Sequence, residues 1–263
     1  MKKRMLSILL AAVCVFALAA CGGDGGSSDD AKGDGKDDAK KEERQVLVMA
    51  TNAEFPPYEY YEGKEVVGID VDICKAIAGE LGMELEIEDM AFDSIVAAVS
   101  SGKADFGAAG MTVDPDRAEQ VNFTDTYAHS SQVVIVKKGS DIATPDDLEG
   151  KGIGVQLGTT GDSFADDIEG ATVERYNKGF EAVQALSQDK IDAVIIDREP
   201  AKEFIKEAED LVILDESYTE EDYAMIVAKD NDELLEKING ALKNLKDSGK
   251  LDEIIGKYIT SEE

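Results

Sequence analysis

Apolar residues along this chain fall into short β-branched runs separated by stretches at helical spacing. Val46–Ala50 is one such run and reads as a strand. Val66–Ile69 is a second, shorter one. Val71, Cys74, Ile77, Ala78 and Leu81 recur at three- and four-residue steps, which predicts a helix over 71–81 with Asp70 as its cap. Leu85–Glu88 alternates like a strand, Asp93–Ser101 is helical and closed by Gly102, and Ala104–Ala108 is extended. This β-α-β-α-β order predicts a parallel sheet with crossover helices. Gln132–Val136 is an almost continuous apolar strand, after which the alternation restarts. Helices are expected at 144–148, 162–168, 180–188 and 200–208, with strands at 153–156, 172–176, 193–196 and 211–214. Ala224–Val227 is one more strand, and helices fill 231–248 and 251–258. No internal sequence repeat accompanies this structural one. Two extended strands bracket the second alternation, so two α/β lobes joined by two hinge strands are expected. Lobe 1 would take 45–136 plus 224–263, and lobe 2 would take 137–223.

The first 44 residues follow a different pattern. Lys2, Lys3 and Arg4 precede an apolar stretch, Met5–Ala17, that closes on Leu18-Ala19-Ala20-Cys21. Residues 1–20 therefore read as a secretory signal peptide, too short for a membrane span. LAAC resembles the bacterial lipobox, which implies a lipid, palmitate included, on Cys21 and a membrane anchor. Residues 21–44 are Gly, Ser, Asp and Lys with almost no apolar side chain, so they cannot bury enough surface to fold. They form a flexible tether with a mean reach on the order of 25 Å.

Charge narrows the partners. The chain carries a net charge of −30. The bases of the signal cancel the excess acid of the tether, so all of that charge sits on residues 45–263. This argues against nucleic acid and against adsorption on an anionic membrane. Of three cysteines, Cys14 lies in the signal and Cys21 at its end. Cys74 is left alone on a helix, with no disulfide framework. His129 is the one histidine. No metal spacing and no cofactor motif is present, and no G-x-x-x-x-G-K-[ST] occurs, so any ATPase belongs to a separate chain.

Candidate chemistry begins at Ala104–Tyr127, ADFGAAGMTVDPDRAEQVNFTDTY. Small residues, Ala109 and Gly110, end a strand. Asp114 and Pro115 then signal a helix start. Arg117 falls in the first turn, where the dipole favours an acid. Two readings stand: an anion site, or a surface arginine in an irregular turn. Ligands of open α/β sheets bind beyond the carboxyl ends of strands. Four segments fall there: Asn52–Tyr58, Gly110–Arg117, Gly158–Thr160 and Asp197. Asp197 is open to a role as cation partner or as cap of the next helix. Phe55 and Phe92 offer two rings to a ligand, or two core residues. Together, Arg117 and Thr160 as anion donors, Gly110 and Thr112 as carbonyl and hydroxyl, and Asp197 as carboxylate suit a zwitterion.

Five stretches carry a family resemblance: TNAEFPPYEY (51–60), VVGIDVDICKAIA (66–78), AFDSIVAAVSSGKADFGAAGMTVDPDRAEQVNFTDTY (91–127), GVQLGTTGD (154–162) and KIDAVIIDREPA (190–201). In order and spacing they resemble the polar amino-acid-binding proteins of bacterial ABC importers (solute-binding protein family 3), over essentially all of 45–263. The resemblance implies an α/β, two-lobed periplasmic-binding-protein type II fold with two hinge strands, closing over a free L-amino acid and delivering it to an ABC permease. It implies Arg117 on the α-carboxylate with Gly110 and Thr112 beside it, Thr160 as a contact from the other lobe, and Asp197 on the α-ammonium. Asn52, Phe55 and Phe92 match side-chain pocket positions. Gln156 holds a position that is Lys in a glutamine binder and apolar in histidine binders. Glu54 and Asn52, with AGMT and the proline before Arg117, lean toward arginine or lysine, although Glu54 is equally placed to face solvent. The expected protein is a monomer, extracytoplasmic and lipid-anchored, and not an enzyme. The rival reading is an enzyme on the same fold, such as a dehydratase of small acids, for which His129 has no evident nucleophile partner.

Overall fold

The computed structural model describes residues 45–259. Cys21, the signal segment 1–20 and the tether 21–44 lie outside them. Among the described residues no helix is long and apolar enough to cross a membrane.

Two mixed sheets organise the chain. The first has the order Glu84–Asp89, Val46–Thr51, Phe106–Gly107, Ile226–Ala228 and Val121–Phe123. Its first three strands are parallel, and Ile226–Ala228 runs antiparallel to both neighbours. The second has the order Thr172–Tyr176, Gly152–Gln156, Ala193–Asp197, Ala128–Lys137 and Leu211–Ile213. Here too three strands are parallel, while Ala128–Lys137 runs antiparallel to its partners. The expected parallel core is present in each sheet, and the strands that carry the chain between sheets are the reversed ones. A small antiparallel sheet, Glu54–Phe55, Glu59–Glu62 and Glu65–Val67, lies between the first strand and first helix in sequence.

The ten-residue strand Ala128–Lys137 pairs only within the second sheet among the described residues, with Ala193–Asp197, Leu211–Ile213 and Thr219–Tyr223. Hydrogen bonding thus takes the second sheet back to Ala128, upstream of the expected division at 136/137. Thr219–Tyr223 (TEEDY) is too polar to read as a strand, and its pairing with Ala128–Gln132 is a tertiary effect. The crossings between sheets are short, Thr124–Tyr127 and Ala224–Met225. They bind each other: the Thr124 amide donates to the Met225 carbonyl at 2.9 Å, the Tyr127 amide to the Tyr223 carbonyl at 2.9 Å, and the Met225 amide to Thr124 Oγ1 at 3.0 Å.

Helix Ile69–Glu80 buries Ile73, Cys74 and Ile77 on one face, and helices Asp232–Asp247 and Lys250–Tyr258 pack beside it. Asp70 does not cap this helix. Gly68 is the N-cap residue, and Asp70, fully buried one position inside the first turn, accepts from the Gly110 amide at 2.8 Å and the Tyr127 hydroxyl at 2.7 Å. Gly68 makes that placement available. Its φ is +133°, and a Cβ there would lie 2.1 Å from the Tyr58 carbonyl oxygen. Gly68→Ala should therefore destabilise the protein by about 3 kcal/mol or more, because strained backbone and a backbone clash coincide. Urea unfolding followed by circular dichroism reads this as a lower midpoint; an unchanged midpoint contradicts it.

Candidate functional site

Strand ends from both sheets converge on one small, partly enclosed cavity. The first-sheet side contributes Asn52 and Phe55 after strand Val46–Thr51, Phe92 after Glu84–Asp89, and Gly110, Thr112 and Arg117 after Phe106–Gly107. The second-sheet side contributes Gln156, Thr160 and Asp197. The cavity thus collects nine residues singled out from the sequence. Glu54 is not among the lining residues: its carboxylate is engaged by Lys178 at 2.5 Å, on the partly exposed rim. Ala109 and Thr159, which also line it, fall within segments singled out from the sequence; Glu59 is a lining residue that sequence reasoning did not name.

Arg117 is presented by a short, well-capped helix, Pro115–Ala118. The Asp114 side chain accepts from the amides of Asp116 and Arg117, both at 3.0 Å. The guanidinium turns back toward the cavity. Nη1 donates to the Thr112 carbonyl and Nη2 to the Gly158 carbonyl, each at 3.0 Å, so one side chain bridges the two sheet systems. Its face lies 5.3 Å from the centre of the Phe92 ring, a cation–π contact. No ion pair joins it to a carboxylate among the described residues. Burial lowers its pKa, with Asp114 and Glu221 opposing.

Asp197 stands opposite. It occupies the N-cap position of helix Arg198–Ile205 but makes no capping bond with its side chain. Instead Oδ2 accepts from Gln132 Nε2 at 2.8 Å, and Oδ1 accepts from the Tyr223 hydroxyl and, at 3.4 Å, from Ser130 Oγ. Burial, with the Glu221 charge second, pushes its pKa up to about 7. Gln132 Nε2 also reaches Thr160 Oγ1 at 3.3 Å and Glu221 Oε2 at 3.1 Å. The Thr112 hydroxyl is committed to Glu221 Oε2 at 2.7 Å, while its carbonyl holds Arg117.

Gly110 has φ +51°, and a Cβ there would meet the Phe55 ring at 3.0 Å. The position needs glycine for both reasons. Further contacts close the cavity from the two sides. Gln156 Nε2 donates to Asn52 Oδ1 at 2.9 Å, and Asn52 Nδ2 donates to the Met90 carbonyl at 2.8 Å. Thr159 caps helix Thr160–Asp166, its hydroxyl accepting from the Asp162 amide at 3.3 Å.

Glu59 is the main residue that the sequence concealed. It sits in a tyrosine-rich hairpin, is 0% exposed, and neither carboxylate oxygen meets a donor among the described residues. It faces the Asp70 carboxylate. Burial first, and Asp70 second, raise its pKa well above the ordinary carboxylate value, which favours the protonated form. His129 lies outside the lining, exposed between Asp222 and Glu220 at 3.0 and 3.1 Å.

Comparison with known proteins agrees with this architecture. Residues 47–261 match the model of the bacterial extracellular solute-binding proteins, family 3, and the chain belongs to that family. It is 35% identical to the arginine-binding extracellular protein ArtP of Bacillus subtilis (strain 168), over 99% of each chain. Among solved structures it is similar to the substrate binding protein of an amino acid ABC transporter (40% identity, TM-score 0.78, 82% of this chain and 100% of that one). An ancestral arginine-binding protein bound to arginine is similar to the same degree (40% identity, TM-score 0.78, 82% and 99%). The fold is the α/β periplasmic-binding-protein type II fold.

The state of Glu59 has a measurable consequence. The folded chain keeps a proton that the unfolded chain gives up at an ordinary carboxylate pKa. Its contribution to stability is therefore present at low pH and lost as pH rises above that ordinary value. Glu59→Gln should flatten the fall in stability between about pH 5 and pH 8. Urea midpoints at the two pH values, without added amino acid, measure it; an unaltered slope contradicts the burial argument.

Proposed function

We propose that this chain is the extracytoplasmic capture protein of an ABC importer for a cationic L-amino acid, of the arginine or lysine class. The observation that carries the reading is the distribution of charge around the cavity. Among the described residues a guanidinium without a carboxylate partner and a buried carboxylate without a basic one face the same space, which suits an α-carboxylate on Arg117 and an α-ammonium on Asp197. Thr160 adds a hydroxyl from the second-sheet side, and Phe55 and Phe92 flank the aliphatic part of the ligand. Asn52 and Gln156 set the polar wall.

The lean toward a cationic side chain rests on Glu59 rather than on Glu54. A buried acid lining the cavity with no donor among the described residues is costly on its own. A ligand cation would replace its proton and supply the missing donors. The relatives bearing arginine in their names support the same class.

Capture then proceeds as closure of two lobes about the crossings Thr124–Tyr127 and Ala224–Met225. The ligand adds to the bonds that already span the cavity, and its binding energy favours the closed arrangement. The closed form engages a permease, with the ATPase on a separate chain. Lipid on Cys21 and the tether 21–44 hold the monomer near that permease. The role is binding without turnover.

Calorimetry of the purified full chain with L-arginine, L-lysine and L-glutamine tests the reading. Tight binding of arginine or lysine is expected, and Arg117→Ala should cost about 2–5 kcal/mol of it, since a buried carboxylate loses its partner. Glu59→Gln should weaken the cationic ligands more than glutamine. Unchanged affinity in Arg117→Ala, or absence of binding by all three, contradicts the assignment.

A further inference from the structure

Lys178 is out of place by local rules. It occupies the N-cap position of helix Gly179–Ser187, yet its side chain makes no capping bond. A cap is ordinarily a small oxygen-bearing residue, and the helix dipole repels a cation at that end. The side chain instead crosses to the first-sheet side, where Nζ meets Glu54 Oε1 at 2.5 Å. Helix Gly179–Ser187 lies against strand Glu54–Phe55, so packing of the two elements sets up the approach. A residue that breaks a local rule its neighbours keep is commonly held for a role elsewhere.

The pair belongs to a set of bonds that cross the cavity. Asn52 and Glu54 share one turn, in which the Glu54 amide donates to the Asn52 carbonyl at 2.7 Å. Opposite, Gln156 Nε2 donates to the Asn177 carbonyl at 3.3 Å and to Asn52 Oδ1 at 2.9 Å. The turn that carries Lys178 is thus tied to the cavity wall. The two turns meet twice, amide to amide inside and ammonium to carboxylate at the rim. Arg117 makes a third crossing, to the Gly158 carbonyl. Asn52, Gln156 and Arg117 line the cavity, whereas Lys178 and Glu54 do not. They are placed to act on closure without touching a ligand.

Charge gives the pair its significance. The chain carries −30, and acids outnumber bases on both sides of the cavity. Closing two like-charged bodies is opposed by their own field. Asp89, which accepts from the Ala53 amide at 3.0 Å, adds a second acid on the first-sheet side whose charge reaches Lys178. We propose that Lys178 and Glu54 form a clasp for the closed state. The ion pair offsets the repulsion between the two sides. It raises affinity for every amino acid the cavity accepts by the same factor and takes no part in choosing among them. This rests on the reading of the cavity as an amino-acid site.

Both side chains are partly exposed, 45% for Lys178 and 34% for Glu54. A pair of this kind is worth a small factor in a binding constant and is screened by salt. Lys178→Met keeps the aliphatic stem and drops the charge. The dissociation constants for L-arginine, L-lysine and L-glutamine should then all rise about threefold. Glu54→Gln should raise them in the same sense. The double variant should be no weaker than Lys178→Met, because the two residues act through one bond. Exchanging the charges, Glu54→Lys with Lys178→Glu, should recover most of the loss. The loss should shrink between about 0.1 M and about 1 M salt, as the Debye length falls from about 10 Å to about 3 Å.

Calorimetry of the full chain at the two salt concentrations reads these values. Equal loss for the three ligands, without further loss in the double variant, supports the clasp. Additive losses, or none, overturn it. A selective pattern also overturns it. If Glu54 recognised the ligand side chain, Glu54→Gln would weaken arginine and lysine alone, and Lys178→Met, by freeing an acid, would tighten them. If none of the three amino acids binds, the functional reading fails there, and residual dipolar couplings of the protein without ligand decide the clasp by itself. They report the orientation of one sheet system relative to the other. An orientation that shifts in Lys178→Met and returns with the charge exchange supports the clasp; one that is identical in wild type and variants overturns it.

Discussion

A guanidinium partly withdrawn from water is disfavoured unless its charge is answered, and Arg117, half-buried, is answered only in part. Two carbonyl oxygens and the face of Phe92 fix its position without neutralising it. The two carbonyls belong to different sheet systems, so the arginine that anchors the proposed ligand carboxylate also ties the two sides of the cavity together. Much of the local structure serves this placement. Asp114 caps a helix of four residues to aim the side chain, and Gly110 keeps the floor clear beside it. Asp70, drawn away from its own helix, pins the Gly110 amide.

The opposite side follows the complementary rule. Buried carboxyls need donors or protons. Asp197 takes donors from Gln132, Ser130 and Tyr223, Glu221 from Thr112 and Gln132, and Glu59 favours its protonated form beside Asp70. The cavity is thus polarised, one cation facing several incompletely satisfied acids. Such a site is costly to maintain without a ligand and gains from one carrying both signs of charge. Binding and closure are in that sense one process, since the same groups span the cleft and await the ligand.

The elements with strong local signals were legible in the sequence. Val46–Thr51, Gly152–Gln156 and Ala193–Asp197 carry β-branched runs, and the helices begin and end within a few residues of the expected positions. Asp114 and Pro115 announced the helix that presents Arg117. What was hidden depends on partners distant in sequence. Thr219–Tyr223 is a strand because Ala128–Gln132 pairs with it, not because TEEDY favours extension. Asp197 stands at an N-cap and Asp70 just inside its helix, yet neither side chain caps, because buried donors from elsewhere compete for them. Glu59 and Glu221 are two acids in a chain rich in acids, and only burial distinguishes them. Glu54, prominent beside Phe55 in sequence, is diverted to the rim by Lys178. Periodicity reports which face of an element is buried; it does not report which buried polar groups meet.

A crystal structure of the protein with L-arginine tests the central claim most directly. The account predicts the α-carboxylate on Arg117, the α-ammonium on Asp197, the aliphatic chain between Phe55 and Phe92, and the guanidinium directed at Glu59. A ligand bound in the reverse sense, or seated outside this cavity with Arg117 still on its two carbonyls alone, would contradict it.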